Sequence, residues 1–304
     1  MTKKLIIVIS LCVLKILFGQ GKILFGTTSL GGLYNAGTIF QYGLETGKFQ
    51  KKADFNKTNG SMPTGTLVQV KNKLYGLTTE GGTKSFGVLY ELNLSSNELT
   101  KKIDFVGANG TWPTGSLMKV SDTKLYGLTW PGGLYGMGTL FEYDVESGIM
   151  TKKHDFKANT DGGTRPSGSL TLANNGRIYG LTSSGGNYNN GTLFEYNIPN
   201  NIIVKLADFQ RNITGATPEG DLLQASNGKL YGLTPIGGDN DFGTLFEFDT
   251  DTGVLTKKIN FDQTIGSSIA SLIEAKNGKL YGTTETGEHM ILERFSNMIL
   301  HKIQ

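Results

Sequence analysis

The fold is decided by the stretch KLYGLTPIGGDNDFGTLFEF at residues 229–248. Residues 229–234 and 243–248 each alternate with the two-residue period of a β-strand. The pair Gly237-Gly238 lies in the loop between these two runs. The stretch therefore predicts two neighbouring antiparallel strands, which we call b and c.

Two further strand-like runs flank this pair. Residues 221–225 precede it, and Asn227-Gly228 is a two-residue hairpin signal that joins them to strand b. Residues 255–261 follow strand c after a turn at residues 251–253. No window shows the period of an amphipathic helix. One unit is therefore predicted to contain four short antiparallel strands, named a to d in chain order.

This unit repeats along the chain. A Leu-Tyr-Gly motif or a close variant occurs six times, with its aromatic residue at positions 25, 75, 126, 179, 231 and 281. The mean spacing of about 51 residues is typical of propeller blades. We predict an all-β fold, a six-bladed β-propeller of four-stranded antiparallel blades. Because the first repeat begins at Lys22 with strand b, we count 23 strands and expect an incomplete first blade. The alternatives are a compensating segment from residues 11–20 or a distorted closure.

The repeat explains the high glycine content, which is 43 of 304 residues. Most glycines fall at recurring turn and strand positions, among them the Gly-Gly pair and the glycine that opens strand c. Glycine inside a strand is normally unfavourable. We therefore expect Gly76 and its equivalents in the Leu-Tyr-Gly motif to lie in crowded places near the propeller axis, where a side chain would collide.

Three recurring motifs carry a family resemblance. The series Leu-Tyr-Gly-Leu-Thr, Gly-Gly-x4-Gly-Thr-Leu-Phe-Glu-Tyr and Lys-Lys-x-Asp-Phe resembles the GloVer tandem repeat of bacterial secreted proteins and, more distantly, the kelch repeat. The resemblance covers residues 22–304. It implies a β-propeller exported from a bacterium, and it implies no established activity.

The first 20 residues have the pattern of a secretory signal peptide. Lys3 and Lys4 precede a largely apolar run over residues 5–18, and the small residue Gly19 follows. The run is too short for a comfortable membrane span. We predict a signal peptide at residues 1–20, a single β-propeller domain at residues 21–304, and export to the periplasm, the cell surface or the extracellular space.

The charge balance supports the same interpretation. The formal net charge of +3 equals the three lysines of the predicted signal peptide, Lys3, Lys4 and Lys15, so residues 21–304 are formally neutral. A neutral mature chain argues against nucleic acid as a partner. Cys12 is the only cysteine, so the mature chain has no thiol for a disulfide or a metal site. We expect no cofactor, no metal, no stable membrane span, and a monomer.

The loops that vary most between repeats are the candidates for function. We expect the d-to-a and b-to-c loops to open on the same face, where a rigid scaffold presents its binding groups. Trp112 in a d-to-a loop joins Trp130 and Tyr135 in the next b-to-c loop, and aromatic faces stack on sugars or hold cations. Asp161 and Arg165 in the following d-to-a loop are their expected polar companions. The alternative is that these loops are simple connections and that Trp112 is a packing residue.

Other polar groups give weaker signals. Residues 239–241, Asp-Asn-Asp, supply the oxygen atoms that calcium takes, but the rest of a cage is not visible, so we expect a solvated loop. Lysine pairs such as Lys101-Lys102 fall on strand d, where we expect them to protect an exposed edge rather than to bind a polyanion. The histidines His154, His289 and His301 share no repeated carboxylate partner or metal-ligand spacing, so we assign no catalytic or metal-binding residue.

The sequence therefore predicts a secreted or surface-associated binding module, whose partner is an extracellular glycan or protein. The alternative function is a hydrolase or lyase that acts on polysaccharide with acidic residues of the loop face. A structural surface protein is a third possibility.

Overall fold

The structure, a computed structural model, describes residues 23–158, 162–267 and 271–283. Within these residues the chain is all-β, with a single four-residue helix, α1 (Arg211–Thr214). Strands that follow one another in sequence pair antiparallel in each sheet. No helix of the described part is long and apolar enough to cross a membrane. The predicted all-β class and the antiparallel order of strands within the sheets are confirmed.

The chain divides into two compact units, Met1–Val106 and Gly107–Gln304. The first unit holds sheets 1 and 2. Sheet 1 is β1 (Ile23–Thr28), β2 (Thr38–Gly43) and β3 (Lys48–Asp54). Sheet 2 is β4 (Ser61–Val70), β5 (Lys73–Glu80), β6 (Val88–Asn93) and β7 (Leu99–Asp104). Sheet 1 has no strand a among the described residues, as expected, and residues 11–20 lie outside them.

The second unit holds sheets 3 to 6. Sheet 3 is β8 (Pro113–Lys119), β9 (Lys124–Thr129), β10 (Thr139–Asp144) and β11 (Met150–Asp155). Sheet 4 is β12 (Thr164–Leu172), β13 (Ile178–Ser184), β14 (Thr192–Asn197) and β15 (Ile202–Asp208). Sheet 5 is β16 (Leu223–Gln224), β17 (Leu230–Thr234), β18 (Thr244–Asp249) and β19 (Val254–Asn260). Sheet 6 is β20 (Ile273–Glu274) and β21 (Leu280–Tyr281), and the predicted strands c and d of the sixth repeat fall outside the described residues.

The glycine of the Leu-Tyr-Gly motif is required by an aromatic ring on the neighbouring strand. Gly26 is directly opposite Phe40, and a Cβ atom on Gly26 would lie 2.6 Å from Cζ of that ring. The same overlap recurs in the four-stranded sheets 2 to 5, at Gly76 with Tyr90, Gly127 with Phe141, Gly180 with Phe194, and Gly232 with Phe246. The expectation that Gly76 is crowded is confirmed. The side chain with which an added methyl group would collide is the ring of Tyr90 on strand c.

A different set of glycines lies where the first strands of neighbouring sheets meet. Gly115 in β8 and Gly168 in β12 have φ angles of 61° and 63°. A Cβ atom on Gly115 would overlap the backbone of Gly168, and one on Gly168 would overlap the backbone of Gly220. The backbone N–H of Ser116 donates to Oγ of Ser169 at 2.7 Å across the same contact. The Pro-x-Gly segment therefore carries the glycines that allow close packing between sheets in the second unit.

The core of each unit lies between neighbouring sheets. The phenylalanine that follows strand d packs its ring on the strand-c ring of the next sheet, with centroid distances of 4.9 Å for Phe55 with Tyr90 and 5.4 Å for Phe156 with Phe194. Its backbone N–H donates to the glycine that opens strand c of its own sheet, as from Phe55 to Gly37 O at 3.0 Å. The phenylalanine of Lys-Lys-x-Asp-Phe therefore ends one sheet and begins the core of the next.

The tyrosine and glutamate of the motifs form a buried polar pair. Tyr75 donates to Oε2 of Glu91 at 2.6 Å, and Nζ of Lys73 lies 2.9 Å from Oε1 of Glu91. Burial alone would raise the pKa of Glu91, but the hydrogen bonds from Tyr75 and Lys73 outweigh it and hold that pKa below its ordinary value. The two motifs are thus linked across strands b and c by an ionised glutamate.

We expect Gly180→Ala to lower the free energy of unfolding by roughly 1–3 kcal/mol, because its methyl group overlaps the Phe194 ring. In the double variant with Phe194→Leu, the loss should be smaller than the sum of the two single losses by about 1 kcal/mol. Urea unfolding of the four proteins measures this coupling.

Gly176→Ala is the control, because no atom lies within 4 Å of its Cβ position and only its φ of 76° opposes the change. Losses that add to within about 0.5 kcal/mol would show that the ring does not exclude the side chain.

Candidate functional site

Both variable kinds of loop meet at the same end of the sheets. In sheet 3 the N–H of Gly133 in the b-to-c loop donates to Gly107 O in the d-to-a loop at 2.8 Å. In sheet 2 the N–H of Gly82 donates to Lys57 O at 2.7 Å. The prediction that the two loop kinds open on one side is confirmed within each unit.

Each b-to-c loop is fastened to the last residue of strand d. The N–H of Leu134 donates to Oδ1 of Asp155 at 2.7 Å, and the N–H of Asn187 donates to Oδ1 of Asp208 at 2.9 Å. The same bond joins Leu33 to Asp54, Thr83 to Asp104 and Asp239 to Asn260. We call this contact the loop latch. It explains the aspartate of the Lys-Lys-x-Asp-Phe motif.

The first lysine of that motif completes the latch. Nζ of Lys101 lies 2.6 Å from Oδ2 of Asp104, and Nζ of Lys152 lies 2.8 Å from Oδ2 of Asp155. Protection of an exposed edge by the lysine pairs stays a prediction, and in sheets 2 and 3 the first lysine of the pair also binds the carboxylate that holds the loop. Burial opposes ionisation of Asp104, but the hydrogen bonds from Lys101 and Thr83 are stronger and lower its pKa.

The loop at residues 239–241 is a rearranged latch. Asn260 replaces the aspartate there, and the carboxylate of Asp239 receives Nζ of Lys257 at 2.8 Å and Nδ2 of Asn260 at 2.6 Å. The Asp241 carboxylate pairs with Arg211 at 2.7 Å. The loop is exposed to solvent, as expected, and both of its carboxylates are ion-paired. No group of three metal-ligating side chains occurs anywhere in residues 23–158, 162–267 and 271–283.

The middle of each described b-to-c loop carries exposed side chains, and hydrogen bonds within the loop hold its backbone. In sheet 4 the N–H of Gly185 donates to Oδ1 of Asn189 at 3.1 Å, and Asn189 has a φ of 53°. Tyr188, just before it, is 53% exposed, and Tyr135 at the same position of sheet 3 is 46% exposed. Tyr188 was missed in the sequence analysis, although its place in the repeat matches that of Tyr135.

A second loop position that carries a different side chain in each repeat is the residue before the proline of Pro-x-Gly. Met62, Trp112, Arg165 and Thr217 occupy it with φ angles of 52°, 42°, 59° and 51°. Such angles are costly for bulky residues, on the order of 1 kcal/mol or more each. The backbone is held by hydrogen bonds to the preceding b-to-c loop, such as Arg165 N–H to Met137 O at 3.2 Å. The same strained backbone therefore presents different side chains in successive repeats.

The structure brings Arg165 onto Trp130. The guanidinium carbon of Arg165 lies 4.2 Å from the Trp130 ring centroid, in cation–π contact. Small hydroxyl residues occupy the Trp130 position in sheets 2 and 4, where Thr79 donates to Met62 O and Ser183 donates to Arg165 O. The large indole of Trp130 in sheet 3 therefore takes a position at which sheets 2 and 4 have a small side chain.

The other predicted residues lie around this pair. The N–H of Trp130 donates to Trp112 O at 3.4 Å, and the Trp112 side chain is 46% exposed. Lys157 lies over the Tyr135 ring at 5.1 Å. Asp161 lies outside the described residues. We call Trp112, Trp130, Tyr135, Arg165 and Tyr188 the aromatic surface.

Asp54 and Asp104, two acids at this end, are poor candidates for general acids. A general acid at neutral pH needs a raised pKa. Asp54 and Asp104 have lowered pKa values, with hydrogen bonds from Lys51 and from Lys101 and Thr83 among the causes. His154 on β11 stands edge-on to Phe156 at 5.1 Å, and its pKa is lowered by burial, which Asp155 opposes.

Solved structures with the same fold are β-propeller-like. TolB from Acinetobacter baumannii is 12% identical with a TM-score of 0.54, over 89% of this chain and 60% of that chain. The extracellular domain of a candidate one-component system from Bacteroides thetaiotaomicron is 17% identical with a TM-score of 0.61, over 90% and 31%. A candidate 6-phosphogluconolactonase from Bacteroides uniformis is 17% identical with a TM-score of 0.60, over 92% and 80%.

The sequence itself assigns the family. The family model described as the Gloeobacter/Verrucomicrobia repeat matches residues 14–172 and 158–292, so the chain belongs to this repeat family. No curated protein sequence matches the chain. The chain spans about a third of the B. thetaiotaomicron structure and three fifths of TolB, and at these identities the likeness concerns the fold alone.

We expect Asp104→Ala to speed hydrogen exchange at the Thr83 amide and to lower the free energy of unfolding by about 1.5–3 kcal/mol, because the latch has a charged acceptor. Asp104→Asn should cost about 1 kcal/mol or less, since Asn260 serves this role in sheet 5.

The folded pKa of Asp104 is lowered, so its contribution is complete above its unfolded pKa of about 4 and is lost as pH falls through the lower folded value. The difference between wild type and Asp104→Asn should therefore shrink in acid. Asp122→Ala, at the exposed pair with Lys119, is the control. Equal exchange at Thr83 in all variants would rule out the latch.

Proposed function

We propose that the protein is an exported, monomeric, six-bladed β-propeller that binds extracellular glycans through the aromatic surface. Export is supported by the charged and apolar pattern of residues 1–20, and the similarity to an extracellular domain agrees with it. Six blades are supported by the six repeats, five of which have at least three paired strands in the described residues.

The observation that carries the proposal is a set of exposed rings on a fixed backbone. Trp112, Tyr135 and Tyr188 are each about half exposed, and they stand on loops at the same end of sheets 3 and 4. These sheets are neighbours, since the ring of Phe156 from sheet 3 packs on Phe194 of sheet 4. Exposed apolar groups that gather on one part of a protein surface are typical of interaction sites.

A sugar is a suitable ligand for such rings. The apolar face of a pyranose can stack on an aromatic ring while its hydroxyl groups stay in water. The latch and the positive-φ residues hold the loops before a ligand arrives, so little ordering cost is added on binding. Exposed rings on several loops also suit a long chain better than a small molecule, which usually fills a concave pocket.

We expect the protein to bind at least one polysaccharide on a glycan array. Trp112→Ala, Tyr135→Ala and Tyr188→Ala should each weaken that binding about tenfold, which corresponds to about 1.4 kcal/mol for the lost contact of one ring. Phe49→Ala is the control, because Phe49 is 64% exposed on β3 and lies outside the aromatic surface.

Two results would overturn this function. One is the absence of glycan binding by a folded protein that retains all three rings. The other is release of reducing sugar that stops when one acid of the loop face is replaced, because that outcome would identify the hydrolase or lyase instead.

A further inference from the structure

Arg165 differs from the other described arginines in its partner. Arg177 pairs with Glu195 at 2.9 Å, and Arg211 pairs with Asp241 at 2.7 Å. Arg165 forms no ion pair within the part of the chain that the structure describes, and its charged group contacts the Trp130 ring instead. It is an exposed residue at the loop end of sheet 4.

The backbone of Arg165 is held by two hydrogen bonds, so its side chain starts from a fixed position. Its N–H donates to Met137 O at 3.2 Å, and its carbonyl accepts from Oγ of Ser183 at 3.3 Å. Its backbone has a φ of 59°, which repeats at the equivalent positions of the neighbouring repeats. Stacking occupies a face of the planar guanidinium and leaves its in-plane N–H donors to bind an acceptor.

The loops around Arg165 contain no described acid. Residues 106–112, 130–138, 157–158, 162–165 and 183–191 carry Lys157 and Arg165 as their only charged side chains within the described residues. The nearest latch carboxylates, Asp155 and Asp208, are neutralised by Lys152 at 2.8 Å and Lys205 at 2.9 Å. In sheet 5, by contrast, Asp239 and Asp241 neutralise Lys257 and Arg211. Among the described residues of these loops, the Arg165 charge is therefore not balanced by a neighbouring carboxylate.

We propose that the glycan bound by the aromatic surface is acidic, with a carboxylate or sulfate group that pairs with Arg165 while a neighbouring sugar stacks on Trp112 or Tyr135. The inference rests on the proposed glycan binding. A guanidinium fork binds both anions through paired N–H donors.

Two matched pairs of polymers test the inference. Polygalacturonate and its full methyl ester differ only in the carboxylate charge, and dextran sulfate and dextran differ only in the sulfate. We expect one of the charged polymers to bind at least tenfold more tightly than its neutral partner in affinity electrophoresis. Which charged polymer is preferred distinguishes carboxylate from sulfate.

Arg165→Gln should remove most of that preference and leave the weaker binding of the neutral partner within about twofold. Arg165→Lys should lose part of it, because lysine keeps the charge but lacks the planar fork. Lys84→Gln is the control, since it removes one exposed positive charge from a loop of the first unit. The unfolding temperature of each variant verifies that it is folded.

The outcomes separate the two proposals. Equal binding of charged and neutral polymers overturns the acidic preference and leaves glycan binding intact. A preference that Arg165→Gln does not change overturns the assignment to this surface. No binding to these polymers or to any glycan on the array overturns the proposed function itself.

Discussion

The packing of a strand-c ring over a strand-b glycine is the constraint on which the rest of the structure depends. Because Gly232 has no side chain, the ring of Phe246 occupies the space that a Cβ atom would fill on strand b. Its contact with Phe209, which follows strand d of sheet 4, then joins the two sheets at 4.9 Å between ring centroids. One glycine per repeat thus fixes both the strand pair and the contact between sheets.

The loop end is built on this scaffold by local hydrogen bonds. The latch ties each b-to-c loop to strand d, and the residue before the proline bonds back to the preceding loop, as Thr217 N–H does to Asn190 O at 2.8 Å. These bonds satisfy backbone groups and hold strained backbone in place. The loop side chains that take no part in these bonds can therefore differ between repeats without disturbing the sheets. A binding surface requires this kind of variation on a rigid scaffold.

Strands and loop placement were predictable because their signals are local, whereas the contacts of the site are not. The two-residue alternation and the Gly-Gly pair lie within about 20 residues of sequence. The latch from Leu134 to Asp155 spans 21 residues, and the contact between Trp130 and Arg165 joins two repeats. The ring over Gly76 required the cross-strand register with Tyr90. Tyr188 required only alignment of the repeats, and it could have been found.

Tryptophan fluorescence during a glycan titration tests the account most directly. The chain has two tryptophans, Trp112 and Trp130, and both belong to the aromatic surface. The account predicts a saturable change in their emission, with the same midpoint as the heat of binding measured by calorimetry. In Trp112→Phe, Trp130 alone should still report the bound glycan. Heat of binding without any change in tryptophan emission would contradict the account, because the ligand would then bind elsewhere.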